Sequence, residues 1–123
     1  VGLGLCLVVT SWGGDADARV TGNYVEDTVA VSRSLREVID LPQDDPSHAE
    51  AEKEARALIS DYTSRYRPQP RVNGLSSFTT MQTALNSLAG HYASYANRPL
   101  PDALHDRLAK ELTKAEKAVV RGS

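Results

Sequence analysis

The stretch Leu75–Asn97, LSSFTTMQTALNSLAGHYASYAN, decides how the rest of the chain is read. Its 23 residues include no Asp, Glu, Lys or Arg, although 24% of the whole chain is charged. Phe78, Met81, Leu85, Leu88, Tyr92 and Tyr95 recur at spacings of 3, 4, 3, 4 and 3. That is the apolar seam of a helix packed in a bundle. Opposite it stand Ser77, Thr80, Thr83, Asn86, Ser87 and Ser94, all small, polar and neutral. A solvated helix face ordinarily carries Lys and Glu, so a neutral one points to cover by neighbouring helices or by a partner.

Working outward, the helical period recurs three more times. Upstream, Arg19–Asn23 reads as a turn, and Asn23 with Glu26 as a capping box opening a first helix over about residues 24–41. Its seam is Val25, Val29, Ser32, Leu35 and Ile39, and Pro42 ends it by removing a backbone donor. After a short acidic connection, Ser47 and Glu50 form a second capping box ahead of a helix starting at His48. Ala51, Ala55, Leu58, Tyr62 and Tyr66 make its seam, with Ile59 beside it; Pro68, Pro70 and the Asn73-Gly74 turn close it. Downstream, Arg98-Pro99-Leu100-Pro101 breaks the chain, and Pro101 and Asp102 begin a last helix. Leu104, Leu108, Leu112, Ala115 and Val119 are its seam, with Gly122 past its end. Four helices, each roughly 30 Å long, joined by short connections, predict an all-α, antiparallel up-down-up-down four-helix bundle.

At 123 residues the chain has length for one domain, and its 41% apolar content is ordinary for a globular protein. The net charge of −2 supplies no global field for nucleic acid. Its distribution is uneven, however. Glu26–Asp61 holds ten acids against four bases, and Tyr62–Ser123 holds four acids against nine bases. With Cys6 alone, no intramolecular disulfide or zinc framework is available. The opening VGLGLCLVV is too short to span a bilayer and reads as the end of a signal-type apolar region. Ala16-Asp17-Ala18 supplies an A-x-A pattern for cleavage after Ala18. The expected division is therefore a targeting segment at 1–18 and a bundle domain at 19–123. Leu5, where a lipobox wants a small residue, argues against lipidation of Cys6.

The pattern offers little chemistry. A di-iron bundle needs paired Glu-x-x-His motifs, and only Asp102-x-x-His105 comes near. His48 and His105 read as first-turn surface residues, and His91 as a hydrogen-bonding residue at the bundle's edge. Asp44, Asp45, Glu50 and Glu52 are interrupted by proline where a calcium loop needs glycine. No nucleophile elbow or phosphate-binding glycine loop occurs. No catalytic, cofactor-binding or metal-binding residue is thus assigned. Tyr62 and Tyr66 read as core, and the nearby Arg65 and Arg67 as solvated. Arg107, Lys110, Lys114, Lys117 and Arg121 fall on one side of the last helix. That stripe is either a solvated face or a dock for an acidic partner. The residues alone describe a non-enzymatic helical protein that binds another protein.

Particular runs carry more. Thr21-Gly22-Asn23-Tyr24, Glu26-Asp27-Thr28, Ser34-Leu35-Arg36, Ile39-Asp40-Leu41-Pro42, Asp61-Tyr62 and Ser64-Arg65-Tyr66-Arg67 are joined by the most specific run, Ser77–Gly90, then Tyr92, Ser94-Tyr95 and Arg98-Pro99. Together they resemble the Psb-twenty-seven family, small thylakoid-lumen assembly and repair factors of photosystem II, across residues 20–123. The resemblance implies a four-helix bundle with no cofactor. It implies a transient partner, the forty-three-kilodalton inner antenna protein of photosystem II, met on its lumenal side in assembly intermediates. It further implies a steric role: keeping the site open for manganese cluster assembly and preventing premature docking of the extrinsic subunits. Cyanobacterial members carry a lipobox cysteine. The Leu5-Cys6 pair and the A-x-A site depart from that pattern and favour a chloroplast protein of the thylakoid lumen, held at the membrane through the complex rather than by a lipid. The expected partner contacts are Ser77, Thr80, Thr83 and Asn86, with Arg65, Arg67 and Arg98 as charged supports; Lys110 and Lys114 form the competing face. The alternative function is a metal-handling bundle that holds Mn²⁺ or Ca²⁺ through the acidic Asp40–Glu54 region.

Overall fold

Asn23 turns the chain into its first helix, its side-chain oxygen accepting the Glu26 N–H at 3.1 Å as the capping reading expects. The structure is a computed structural model that describes residues 20–95 and 98–123. The proposed targeting segment at 1–18, with Cys6 and the A-x-A site, lies outside the described residues. The helices are α1 (Tyr24–Asp40), α2 (His48–Tyr66), α3 (Pro70–Asn73), α4 (Ser76–Ser94) and α5 (Asp102–Val120). The described residues contain no strand. The fold class is all-α, as the sequence predicts.

The direction of each helix follows from what its ends touch. The start of α1 meets the end of α2, where Tyr24 and Tyr66 pack edge to face at 5.2 Å. Tyr62 of α2 stacks on Phe78 of α4, ring centres 6.2 Å apart. Ser77 in the first turn of α4 donates its N–H to the Ser123 carbonyl beyond the end of α5. His105 near the start of α5 reaches Asp40 at the end of α1. Each neighbouring pair of long helices thus runs antiparallel; of these pairs α4 and α5 pack most extensively and α2 and α4 least.

Three local readings are corrected. The segment after α2 contains α3, a single turn that begins on Pro70 after extended Gln69 and buries Val72. Proline suits a first helical position because its missing N–H has no partner there. At Ser47 no side-chain cap forms; Ser47 instead donates its N–H and hydroxyl to Asp45 Oδ1 at 2.8 and 2.6 Å, so Asp45 organises the turn. At the end of α4, the helix stops at Ser94, and Tyr95 leaves the seam at 57% exposed.

The seam of α1 is also displaced. Val25 is exposed and Val29 only half-buried, while Asp27, Thr28, Val31, Ser32 and Leu35 are buried. Polar residues can face inward here because each has a partner. The Thr28 hydroxyl shares a hydrogen bond with Tyr62 at 2.7 Å, and Ser32 donates to the Leu112 carbonyl at 2.8 Å. With those donors and acceptors paired, burial costs little. Most of the remaining core follows the predicted seams: Ala55, Tyr62 and Tyr66 from α2; Phe78, Met81, Leu85, Leu88 and Tyr92 from α4; Leu108, Leu112, Ala115 and Val119 from α5. Ala51, Leu58 and Leu104 are only partly buried, while Ile59 and Ala118 beside the seams are buried. Each large apolar side chain removed from water stabilises the fold by about 1.5–3 kcal/mol.

Candidate docking face

The charge-free helix has an uncovered side. Thr79, Thr83, Asn86 and Gly90 of α4 are exposed, and Thr80 and Ser87 are half-buried where α4 meets α5. The threonine hydroxyls donate back along the helix, Thr79 to the Ser76 carbonyl at 3.1 Å and Thr83 to the Thr79 carbonyl at 3.0 Å. Their oxygen lone pairs remain free to accept. Gln82 Nε2 donates to Asn86 Oδ1 at 3.1 Å. The bundle itself therefore covers only part of the neutral face.

Ser77 does not belong to that surface. It is fully buried, and its hydroxyl pairs with the Tyr24 hydroxyl at 2.7 Å, so it is removed from the expected contacts. Arg65 and Arg67 lie at the end of the bundle where α1 starts; Arg98 lies at the opposite end, beside the α4–α5 connection. The three supporting arginines are not brought together. Thr80, Thr83 and Asn86, by contrast, sit on α4 next to the helix that carries Lys110 and Lys114. All five cations of the α5 stripe are exposed. Arg107 donates to the Ser87 hydroxyl at 2.6 Å, joining the two helices at the surface.

Two polar arrangements escaped the sequence reading. The first encloses Asp27, 1% exposed at the start of α1. Its Oδ1 accepts from the Thr21 N–H and hydroxyl, each at 2.8 Å, and its Oδ2 accepts from the Gly22 N–H at 2.9 Å and the Tyr66 hydroxyl at 2.5 Å. Gly22 sits at φ +99°, a conformation glycine adopts without a Cβ clash, and this swings both N–H groups onto the carboxylate. Burial alone pushes the Asp27 carboxyl up, but the donors from Tyr66, Thr21 and Gly22 outweigh it and hold the group below the usual carboxylate range. Burial, together with the Asp27 charge, pushes the Tyr66 hydroxyl far up. The Thr21-Gly22 run just ahead of an acid in a first helical turn is the signal that marks this loop clasp.

The second arrangement lies at the far end, over a pocket of about 220 Å³ lined by Val38, Ile39, Leu41, Tyr92 and Leu100, with His48, Arg98, Asp102 and His105 among its polar residues. His105 Nε2 lies 2.7 Å from Asp40 Oδ1 and its Nδ1 3.3 Å from Asp106 Oδ1. These carboxylates hold the imidazole above the usual histidine range. His91 is buried with Nε2 3.2 Å from the Arg98 carbonyl, the edge hydrogen bond expected of it. Among the described residues no three His, Cys, Asp or Glu side chains form a group able to hold a metal ion. Within the acidic region, Asp40 is engaged by His105 and Asp45 by Ser47. No described helix is long and apolar enough to cross a membrane.

The class is that of a helical bundle with an uncovered, uncharged polar face on α4. The family described as Photosystem II Pbs27 matches residues 9–119. The chain belongs to this family, the Psb27 assembly proteins of photosystem II. It is 55% identical over 108 residues to a Synechocystis protein named photosystem II lipoprotein Psb27, an alignment covering 88% of this chain and 81% of that one. A solution structure of Psb27 from cyanobacterial photosystem II superposes with a TM-score of 0.80 at 56% identity, over 85% of this chain and 90% of the other. The Arabidopsis chloroplast protein named photosystem II repair protein PSB27-H1 is 34% identical over 100 residues, covering 80% of this chain and 58% of its own length. The expected preference for a chloroplast protein is not supported: the cyanobacterial lipoprotein matches more closely than the chloroplast one.

Proposed function

We propose that the protein is a non-catalytic assembly and repair factor that binds photosystem II intermediates on their lumenal side. Its partner there is the lumenal loop of the forty-three-kilodalton inner antenna protein. By occupying that surface it keeps the site open for manganese cluster assembly and blocks premature docking of the extrinsic subunits. Family membership supports the setting. The observation that supports this mode of action is the uncovered, charge-free side of α4. Affinity purification from a photosynthetic membrane tests the reading. The protein is expected with core complexes that lack the manganese cluster and extrinsic subunits, and cross-linked to the antenna protein. Recovery only with oxygen-evolving complexes would overturn it.

A further inference from the structure

Arg107, Lys110, Lys114, Lys117 and Arg121 follow one another along the exposed side of α5 at helical spacings. The fourteen residue steps from Arg107 to Arg121, at 1.5 Å each, make a cationic rail about 20 Å long. Acids stand among these cations in the sequence, Asp106 four residues before Lys110 and Glu111 three before Lys114, yet among the described residues only Arg107 closes on one, Glu111 at 3.9 Å. Among the described residues, Lys110, Lys114, Lys117 and Arg121 form no ion pair, whereas Arg33 and Arg36 of α1 both close on Glu116. Like charges three and four residues apart repel and weaken an isolated helix. The helix dipole accounts for Lys117 and Arg121 near the C-terminus, but its influence fades before Lys110 and Lys114. The free helix does not explain an unpaired cation in each of four successive turns.

The neighbouring surface supplies the second half. Arg107 bonds Ser87, so the cationic side of α5 runs directly into the exposed side of α4, where Thr79, Thr83, Asn86 and Gly90 offer hydroxyl and amide groups and no charge. What the sequence presents as two competing faces is one surface with two rails. No acid on α4 draws the α5 cations inward, and no cation on α4 extends the field sideways.

We infer that the α4–α5 surface docks an acidic protein segment, its carboxylates seated along Lys110, Lys114 and Lys117 and its uncharged polar groups on Thr83 and Asn86. The inference rests on the proposed function and names the surface that performs it. Complementary charge fixes the register and speeds encounter, while the neutral rail accepts backbone or amide groups without a desolvated charge. An extended or helical segment of about 20 Å matches the rail; Arg65, Arg67 and Arg98, at the two ends of the bundle, stand apart from it.

The test is equilibrium binding of the purified chain to photosystem II core complexes isolated before manganese assembly. Four versions are compared: wild type, Lys110→Glu/Lys114→Glu, Thr83→Glu and Arg65→Glu/Arg67→Glu. Circular dichroism melts establish that each is folded. The α5 double reversal is expected to weaken binding by roughly a hundredfold and Thr83→Glu by about tenfold, with the α2 pair close to wild type. Wild type failing to bind overturns the functional reading and this surface with it. Wild-type binding that survives the α5 reversal but is lost in the α2 pair overturns the surface alone. A parallel arm uses vesicles of mixed phosphatidylglycerol and phosphatidylcholine. If the α5 reversal abolishes vesicle binding and leaves complex binding intact, the rail reads a lipid surface and the protein dock is overturned.

Discussion

Asp27 shows how one buried carboxylate ties a loop to a bundle. Its four accepted hydrogen bonds come from Thr21, Gly22 and Tyr66, so the lead-in, α1 and α2 meet on a single side chain. Bonds to a charged acceptor contribute about 1.5–3 kcal/mol each when only one partner is removed. Asp27→Asn keeps the shape but turns one oxygen into a donor that faces donors. It is expected to lower stability by about 2–4 kcal/mol in urea unfolding. The pH dependence has a definite sign. Because the folded carboxyl titrates below the unfolded one, its contribution is complete above the ordinary aspartate value and is lost as pH falls through the depressed one. Wild type is therefore expected to lose stability below about pH 4, with a flatter acid limb in Asp27→Asn. Equal acid limbs would exclude the clasp as their source. Asp27 was hidden in the sequence because apolar periodicity skips acids, and only its partners make it a core residue.

Between elements, the helices the sequence located best are those whose seams are wholly apolar. The α4 seam from Phe78 to Tyr92 and the α5 seam from Leu108 to Val119 are buried as their spacing requires. On α1 the spacing holds for Ser32 and Leu35, but Thr28 and Val31 turn inward in place of Val25 and Val29. A side-chain pair across a helix interface carries information that no single-helix pattern contains. The Thr28–Tyr62 bond is therefore expected to couple: Thr28→Val and Tyr62→Phe should each cost about 1–2 kcal/mol by orphaning the other hydroxyl, and the double variant less than their sum by about 1 kcal/mol. Additive values would remove the bond as a determinant of the α1–α2 register. At the opposite end, His105 joins α1 to α5 through Asp40. Its raised folded value means that the contribution is complete below the ordinary histidine range and is lost as pH rises through the raised value. Asp40 is 69% exposed, so the effect is small, under about 1 kcal/mol. The wild type is expected to melt above His105→Gln near pH 6 and with it above about pH 8. A melting difference that grows with pH would reverse the assignment.

Across the whole molecule, charge is sorted by helix pair. Glu26–Asp61, which spans α1 and most of α2, holds ten acids against four bases, whereas α4 carries no Asp, Glu, Lys or Arg and Asp102–Arg121 holds four acids against five bases; the bundle places α4 beside α5. The net charge of −2 conceals this dipole. It has a kinetic consequence that does not depend on the residues making final contact. Exposed charges act over a Debye length of about 8–10 Å at ordinary ionic strength, so an acidic target steers the α4–α5 side inward before contact. Association with manganese-free core complexes is expected to slow about tenfold or more between low and high salt, with dissociation changing far less. Lys117→Glu, in the same field and near the end of the rail, should lower the association rate and its salt slope together. Glu37→Lys on α1 adds positive charge to the acidic half and should leave the slope nearly unchanged. Stopped-flow measurements at several salt concentrations separate these outcomes. Equal salt slopes for wild type and Lys117→Glu would mean that the dipole does not orient the encounter.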